Sequence, residues 1–318
     1  MKTRVIQNEP NRPTEDHVVP AILASDLTKR FGTHQAVDHL SFEVPFGTVM
    51  GFLGPNGAGK TTTFRMLLGL MDPSEGFSTI LGQPYERIAE PGRSVGALLD
   101  SASFHPRRTG RNHLRIHATA AGIPVARIDE LLLAVDLVGA ADRKVGEYSL
   151  GMRQRLGLAV ALLGDPRVLI LDEPANGLDP AGHRWLRDLL RTEAENGRAV
   201  FVSSHVLAEL AQFADQVIVI DRGKLVIQST VEHLLAGAAG SVRVRTPQPG
   251  PLVDALQRSG LVATPAEHEW LDVTGGTIEH IGTIAAAEGV TLYGLETHSQ
   301  TLEDVFLELT NSEVVTSP

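Results

Sequence analysis

Val49-Met50-Gly51-Phe52-Leu53-Gly54-Pro55-Asn56-Gly57-Ala58-Gly59-Lys60-Thr61-Thr62-Thr63-Phe64-Arg65-Met66-Leu67-Leu68-Gly69 is the stretch from which the rest of the chain can be read. Residues 54–62 fit the P-loop pattern Gly-x-x-x-x-Gly-Lys-[Ser/Thr]. The apolar run at 49–53 predicts a buried strand, and residues 61–68 predict a helix ending near Gly69. Strand, glycine loop and helix start therefore follow in the order that phosphate binding requires. Glycines let the backbone curl until several N–H groups point inward, and the helix start adds partial positive charge there. The expected nucleotide contacts are Gly54, Pro55, Asn56, Gly57, Ala58, Gly59, Lys60, Thr61 and Thr62. Among them Lys60 neutralises the β- and γ-phosphates, and Thr61 offers its hydroxyl to magnesium. A glycine turn with a surface lysine would account for the loop but not for its flanks. The motif leaves open which class of nucleoside triphosphatase this is.

Composition narrows the classes. The chain has 318 residues, enough for one large and one small domain with a sizeable core. Asp and Glu number 38 against 28 Lys and Arg, a formal net charge of -10, which argues against nucleic acid or an anionic membrane surface as the main partner. The absence of cysteine excludes disulfides, thiolate metal sites and cysteine nucleophiles. Residues 1–20 mix prolines with polar and charged residues, lack the apolar centre of a signal peptide, and read as a flexible tail. No apolar run approaches the length needed to span a bilayer; the best, 156–163, is far shorter.

From residue 21 to about 228 strand and helix patterns alternate, the signature of an α/β domain around a largely parallel sheet. The clearest strands are 168–171, 199–202 and 217–220. Between about 92 and 146 the apolar spacing turns helical, as in Asp129-Glu130-Leu131-Leu132-Leu133-Ala134-Val135, and predicts a helical insertion. Asp221-Arg222-Gly223-Lys224 reads as a hairpin turn, and 237–240 as a linker. Beyond it come candidate strands 242–245, 261–264, 270–273 and 292–295 and helices 252–257 and 278–287. That β-α-β-β-α-β order predicts a small α+β, ferredoxin-like module over 241–310, with no catalytic constellation of its own.

The remaining chemistry sits at strand ends. Val168-Leu169-Ile170-Leu171-Asp172-Glu173-Pro174 delivers two carboxylates at the C-terminal edge of a strand, where open α/β sheets bind ligands. An Asp holding magnesium beside a Glu orienting water suits in-line hydrolysis, so Asp172 is the expected metal ligand and Glu173 the catalytic base. Ala175-Asn176-Gly177-Leu178-Asp179-Pro180 adds a glycine turn and a further acid, Asp179, at the nucleotide. Phe201-Val202-Ser203-Ser204-His205 places His205 just past another buried strand, where it would sense the γ-phosphate.

Tyr148-Ser149-Leu150-Gly151-Met152-Arg153-Gln154-Arg155 then decides the family. In order with the P-loop, Asp172-Glu173, the Gly177-Leu178-Asp179 turn and Ser204-His205, it resembles the Leu-Ser-Gly-Gly-Gln signature of the ATP-binding cassette (ABC) ATPases. The resemblance spans 21–228 and implies a P-loop ABC ATPase domain over 21–236, with a mixed sheet and a helical subdomain at about 92–150. It implies ATP with magnesium, hydrolysis, and Ser149 and Gly151 binding ATP held by a second ATPase subunit, in a homodimer. The physics agrees, since Ser is a good N-cap and a helix start favours anions. It also places Phe31 against adenine, and Asp100 where most members put the glutamine that links magnesium to the transporter subunit. Asp100, Leu150 and Met152 depart from the usual residues.

Asp100, Phe104-His105-Pro106 with Thr109-Gly110-Arg111-Asn112, and the run 301–310 resemble bacterial exporters of the bacitracin and daunorubicin resistance type. That implies export of a drug, peptide or lipid-like molecule through a membrane permease on a separate chain, from the cytoplasmic face of the membrane. The alternative is a soluble cassette ATPase acting on nucleic acid or ribosomes. Those relatives carry paired cassettes, coiled coils or zinc insertions; a single, acidic, cysteine-free cassette favours transport.

Overall fold

The computed structural model describes residues 19–99, 104–237, 241–266 and 270–298. In chain order it begins with β1 (Ile22–Phe31), β2 (His34–Val44), β3 (Thr48–Leu53), α1 (Lys60–Leu67), β4 (Glu75–Ile80), α2 (Pro91–Ser94), β5 (Val95–Leu98), α3 (Gly110–Ala120) and α4 (Arg127–Ala134). It continues with α5 (Leu150–Ala161), β6 (Val168–Leu171), α6 (Pro180–Glu195), β7 (Ala199–Ser204), α7 (Leu207–Leu210), β8 (Gln216–Asp221), β9 (Lys224–Thr230) and α8 (Val231–Gly237). The last elements are β10 (Ser241–Arg245), α9 (Pro249–Arg258), β11 (Val262–Pro265), β12 (Trp270–Thr274), α10 (Ile278–Ala287) and β13 (Gly294–His298).

The main sheet has six strands in the order β5-β6-β7-β3-β8-β9, parallel except for β9, which returns antiparallel through the expected turn at Arg222-Gly223. Its central strands are buried on both faces, which is why they read as continuous apolar runs. Val49 and Leu53 of β3, with Val200 and Val202 of β7, join a cluster with Leu114, Leu132, Leu156 and Leu186 of the helices. Met50, Phe52, Ala199 and Phe201 alternate to the other face and pack with Ile22, Leu40, Phe42 and Phe64.

One expectation needs correction. The stretch 92–146 is not uniformly helical: Val95–Leu98 is β5, paired in parallel with β6. Four residues are too few to show a period, and tertiary pairing supplies the strand. The site demands Gly96, since a Cβ there would lie 2.1 Å from the Ala161 carbonyl oxygen. The antiparallel sheet β2-β1-β4, with strands before and after the P-loop, is separate from the main sheet, and the two together give the mixed strand arrangement that the resemblance implied. Register shifts in β1 between Ala24 and Arg30, with Asp26 at φ 48°, break the period-2 signal that would have announced it.

The last six elements form a four-stranded antiparallel sheet ordered β11-β12-β10-β13, around a core of Val242, Val244, Leu252, Leu256, Leu271, Val273 and Ile281. Its element order is the split βαβ one. The final strand starts at Gly294, later than the pattern suggested, because its antiparallel partner β10 ends at Arg245, opposite Gly294. Asp100, residues 1–18, 238–240 and the run 301–310 lie outside the described residues. Among the described residues no helix is long and apolar enough to cross a membrane.

Candidate active site

Strands β6, β7 and β3 are neighbours in the sheet, and each ends in one part of the sequence-predicted site. The P-loop leaves β3, Asp172-Glu173 leave β6, and Ser203 to His205 close β7, so three parallel strands bring the groups to one edge. The rings of Phe52, Phe64 and Phe201 fix β3, α1 and β7 against one another, with centroids 5.6 Å apart for Phe52 and Phe64 and 5.0 Å for Phe64 and Phe201. Gly59 caps α1 at φ 105°, and a Cβ on it would meet the Ala36 carbonyl oxygen at 2.5 Å. That cap has no side chain, so the first-turn N–H groups of α1 are left for an anion.

The side chains converge on Asp172 and Glu173. The Thr61 hydroxyl donates to Asp172 Oδ2 at 2.6 Å, and the buried Ser203 hydroxyl donates to Asp172 Oδ1. Ser203 Oγ in turn accepts the Glu173 N–H at 2.8 Å. Glu173 sits at φ 48°, a left-handed conformation that costs a non-glycine residue about 1–2 kcal/mol. Its carboxylate reaches His205 Nδ1 at 3.0 Å and the Lys60 ammonium at 3.5 Å. Lys60, only 7% exposed, also donates to the carbonyls of Gly54 at 2.6 Å and Pro55 at 3.3 Å. A carboxylate held between a cation and an imidazole, beside a phosphate loop, is placed to orient water for in-line attack.

Phe31, His34, Ala36, Pro55, Asn56, Gly57, Gly59, Lys60, Thr61, Thr62 and Glu173 line a cleft of about 370 Å³ here. Phe31 is half exposed at its rim, with Lys29 Nζ 5.5 Å from the ring centroid. The donor set fits a nucleotide with a hard cation: a buried ammonium, free helix-start N–H groups, and a hydroxyl and carboxylate that share one contact. Among the described residues no three His, Asp or Glu side chains gather as a metal cage, so a divalent ion at Thr61 and Asp172 would rely on phosphate oxygens and water.

Ser149, Gly151 and Asp179 are not among the residues lining that cleft. Ser149 N-caps α5, its hydroxyl accepting the Met152 N–H at 3.2 Å. Asp179 N-caps α6, accepting the Gly182 N–H at 2.8 Å.

A family model described as ABC transporter matches residues 37–176. The bacitracin transport ATP-binding protein BcrA of Bacillus licheniformis is 45% identical over 216 residues, 67% of this chain and 71% of its own. The daunorubicin resistance ATP-binding protein DrrA3 of Streptomyces coeruleorubidus is 35% identical over 305 residues, 92% of this chain and 96% of its own. This chain belongs to the ABC transporter ATP-binding proteins. A solved ATP binding subunit of an ABC transporter superposes on the cassette with a TM-score of 0.62 at 25% identity, covering 68% of this chain and 92% of that one. A second family model, a domain of unknown function (DUF8746), matches residues 240–303.

The cassette is thus an ATPase, and its geometry adds residues that the sequence reading passed over. Ser203 links both carboxylate positions, and Gln154 donates to the Glu173 carbonyl at 3.2 Å. His34 and Ala36 line the nucleotide cleft. Ser203 was visible beside His205, but nothing in a strand's sequence says which of its two serines points at a neighbouring carboxylate.

Proposed function

We propose that this cassette hydrolyses ATP to power export of a drug, peptide or lipid-like molecule through a separate membrane permease, working as a pair of identical copies at the cytoplasmic face. The observation that carries the catalytic part is the convergence of Lys60, Thr61, Asp172, Glu173 and His205 at one sheet edge. Lys60 holds the phosphates, Glu173 orients or activates water, and His205 steadies the Glu173 carboxylate and senses the γ-phosphate. Thr61 and Asp172 would hold magnesium, which when bound supplies charge neutralisation at the β- and γ-phosphate oxygens. Phe31 offers its ring to the adenine, and Asp100 takes the place of the coupling glutamine. Ser149 and Gly151, which do not line this cleft, complete the nucleotide site of a second copy, and Asp179 adds a further acid at the nucleotide. Closure around ATP and opening after hydrolysis give the two states that a permease can follow.

The export reading rests on likeness to bacitracin transport and daunorubicin resistance proteins, the latter along nearly the whole chain. The test is Glu173→Gln in the full chain. ATP binding persists, turnover falls about a hundredfold or more, and an ATP-dependent dimer accumulates. Gently solubilised from its own cells, that variant co-purifies with a multi-span membrane protein. Normal turnover would remove Glu173 from its role, and recovery with ribosomes or DNA alone would remove the transporter role.

A further inference from the structure

Glu173 holds its left-handed backbone through bonds at both ends. Its N–H is fixed by Ser203, and its carbonyl accepts the Asn176 N–H at 3.2 Å and the Gln154 side-chain amide at 3.2 Å. A strained conformation of this kind persists only where the surroundings over-determine it. Of these ties, Gln154 alone comes from the helix that Ser149 begins. It is 2% exposed, and its Oε1 has no partner among the described residues, so the amide gives up one of its bonds to make this contact.

The same helix start grips the turn after Glu173. Gly177 sits at φ 77°, and a Cβ on it would lie 2.3 Å from Leu150 Cδ2, so Leu150 packs directly on the Gly177 backbone. A Cβ on Gly151 would lie 3.0 Å from the Gly177 carbonyl oxygen. Leu150, which departs from the usual signature glycine, therefore closes one end of the 173–177 turn and Gln154 the other. Ser149 and Gln154 are about 7.5 Å apart along a helix axis, too short a span for the helix to absorb a shift at its start.

We infer that Gln154 is a positioning residue that ties the signature helix to the main-chain carbonyl of the catalytic Glu173 of the same chain, coupling the two ATP sites of the dimer. The inference rests on the reading of Glu173 as base and of Ser149 as a contact to the second copy's ATP. ATP docking on Ser149 and Gly151 reports through Gln154 to Glu173, which serves the other nucleotide. Occupation of one site thereby sets the geometry of attack in the other.

The experiment compares wild type with Gln154→Met, similar in length but without a donor, and Gln154→Asn, too short to reach. Each is measured for fluorescent-ATP affinity, thermal midpoint, kcat, KM and the Hill coefficient for ATP. The expected result is a fall in kcat of about tenfold, the scale of one lost hydrogen bond, with KM and affinity within about twofold. The Hill coefficient, above one in wild type, falls to one. Added to Glu173→Gln, Gln154→Met causes little further loss of turnover, because both act through one group. A wild-type Hill coefficient of one, or unchanged kcat and cooperativity in both variants, overturns the inference. Equal losses in wild-type and Glu173→Gln backgrounds, with a falling midpoint, also overturn it by showing a merely structural role. Normal turnover in Glu173→Gln alone instead removes the underlying reading, so the two failures are distinguishable.

Discussion

Ser203→Ala is the substitution on which the architecture of this site makes its sharpest demand. The hydroxyl is fully buried, donates to the Asp172 carboxylate and accepts the Glu173 N–H at 2.8 Å. Losing a donor to a charged group costs about 1.5–3 kcal/mol, and leaving a buried N–H unpaired costs about 1–3 kcal/mol. Asp172 keeps Thr61 as a donor, so about 3 kcal/mol is expected in total. For a unit of this size each kcal/mol moves the midpoint by roughly 2–4 °C, so thermal unfolding without nucleotide should fall by roughly 6–12 °C. The Glu173 backbone, freed at one end, should also lower kcat by about tenfold or more, while ATP affinity stays within about threefold because the P-loop is not touched. Ser204→Ala is the internal comparison. It lies next on the same strand, but its hydroxyl accepts the Val206 N–H at 3.0 Å in the following loop. A Ser203→Ala midpoint no lower than that of Ser204→Ala, together with wild-type kcat, would refute the reasoning.

Gly59→Ala places a methyl group 2.5 Å from the Ala36 carbonyl oxygen at φ 105°, and should cost about 3 kcal/mol or more and abolish nucleotide binding. Fluorescent-ATP titration and a melting curve check it, and wild-type affinity would contradict it. His113 is buried with Nδ1 unpartnered among the described residues, and burial, with His117 and Arg108 nearby, lowers its pKa to about 4. The unfolded chain takes up this proton first as pH falls through about 6.5, so the neutral ring's contribution is full above that and lost progressively towards pH 4. About 2 kcal/mol of stability should disappear across that window. In His113→Leu that part of the slope of urea midpoint against pH should vanish; an unchanged slope would assign it to other groups.

The P-loop, the carboxylate pair and the last strands' order were legible because each is local. Gly54 to Thr62 carry their chemistry in consecutive positions, and 168–171 is apolar throughout because both of its faces are buried. The β1-β2-β4 sheet was hidden by bulges, and β5 by its brevity. Ser203 and Gln154 were hidden for another reason. Their partners lie 30 and 19 residues away in sequence, a separation that no periodicity reports.

The sequence by itself determined that this chain cradles a triphosphate, supplies two acids at a strand end and belongs with the cassette ATPases, since those properties follow from residue type and short spacing. Tertiary structure alone decided how the acids are held. Sheet order sets β6, β7 and β3 side by side, and only then do Ser203, Gln154, Lys60 and His205 meet around Glu173. Side-chain direction across neighbouring strands and helices is a property of packing, and a hydrogen bond between distant residues exists only once that packing is complete.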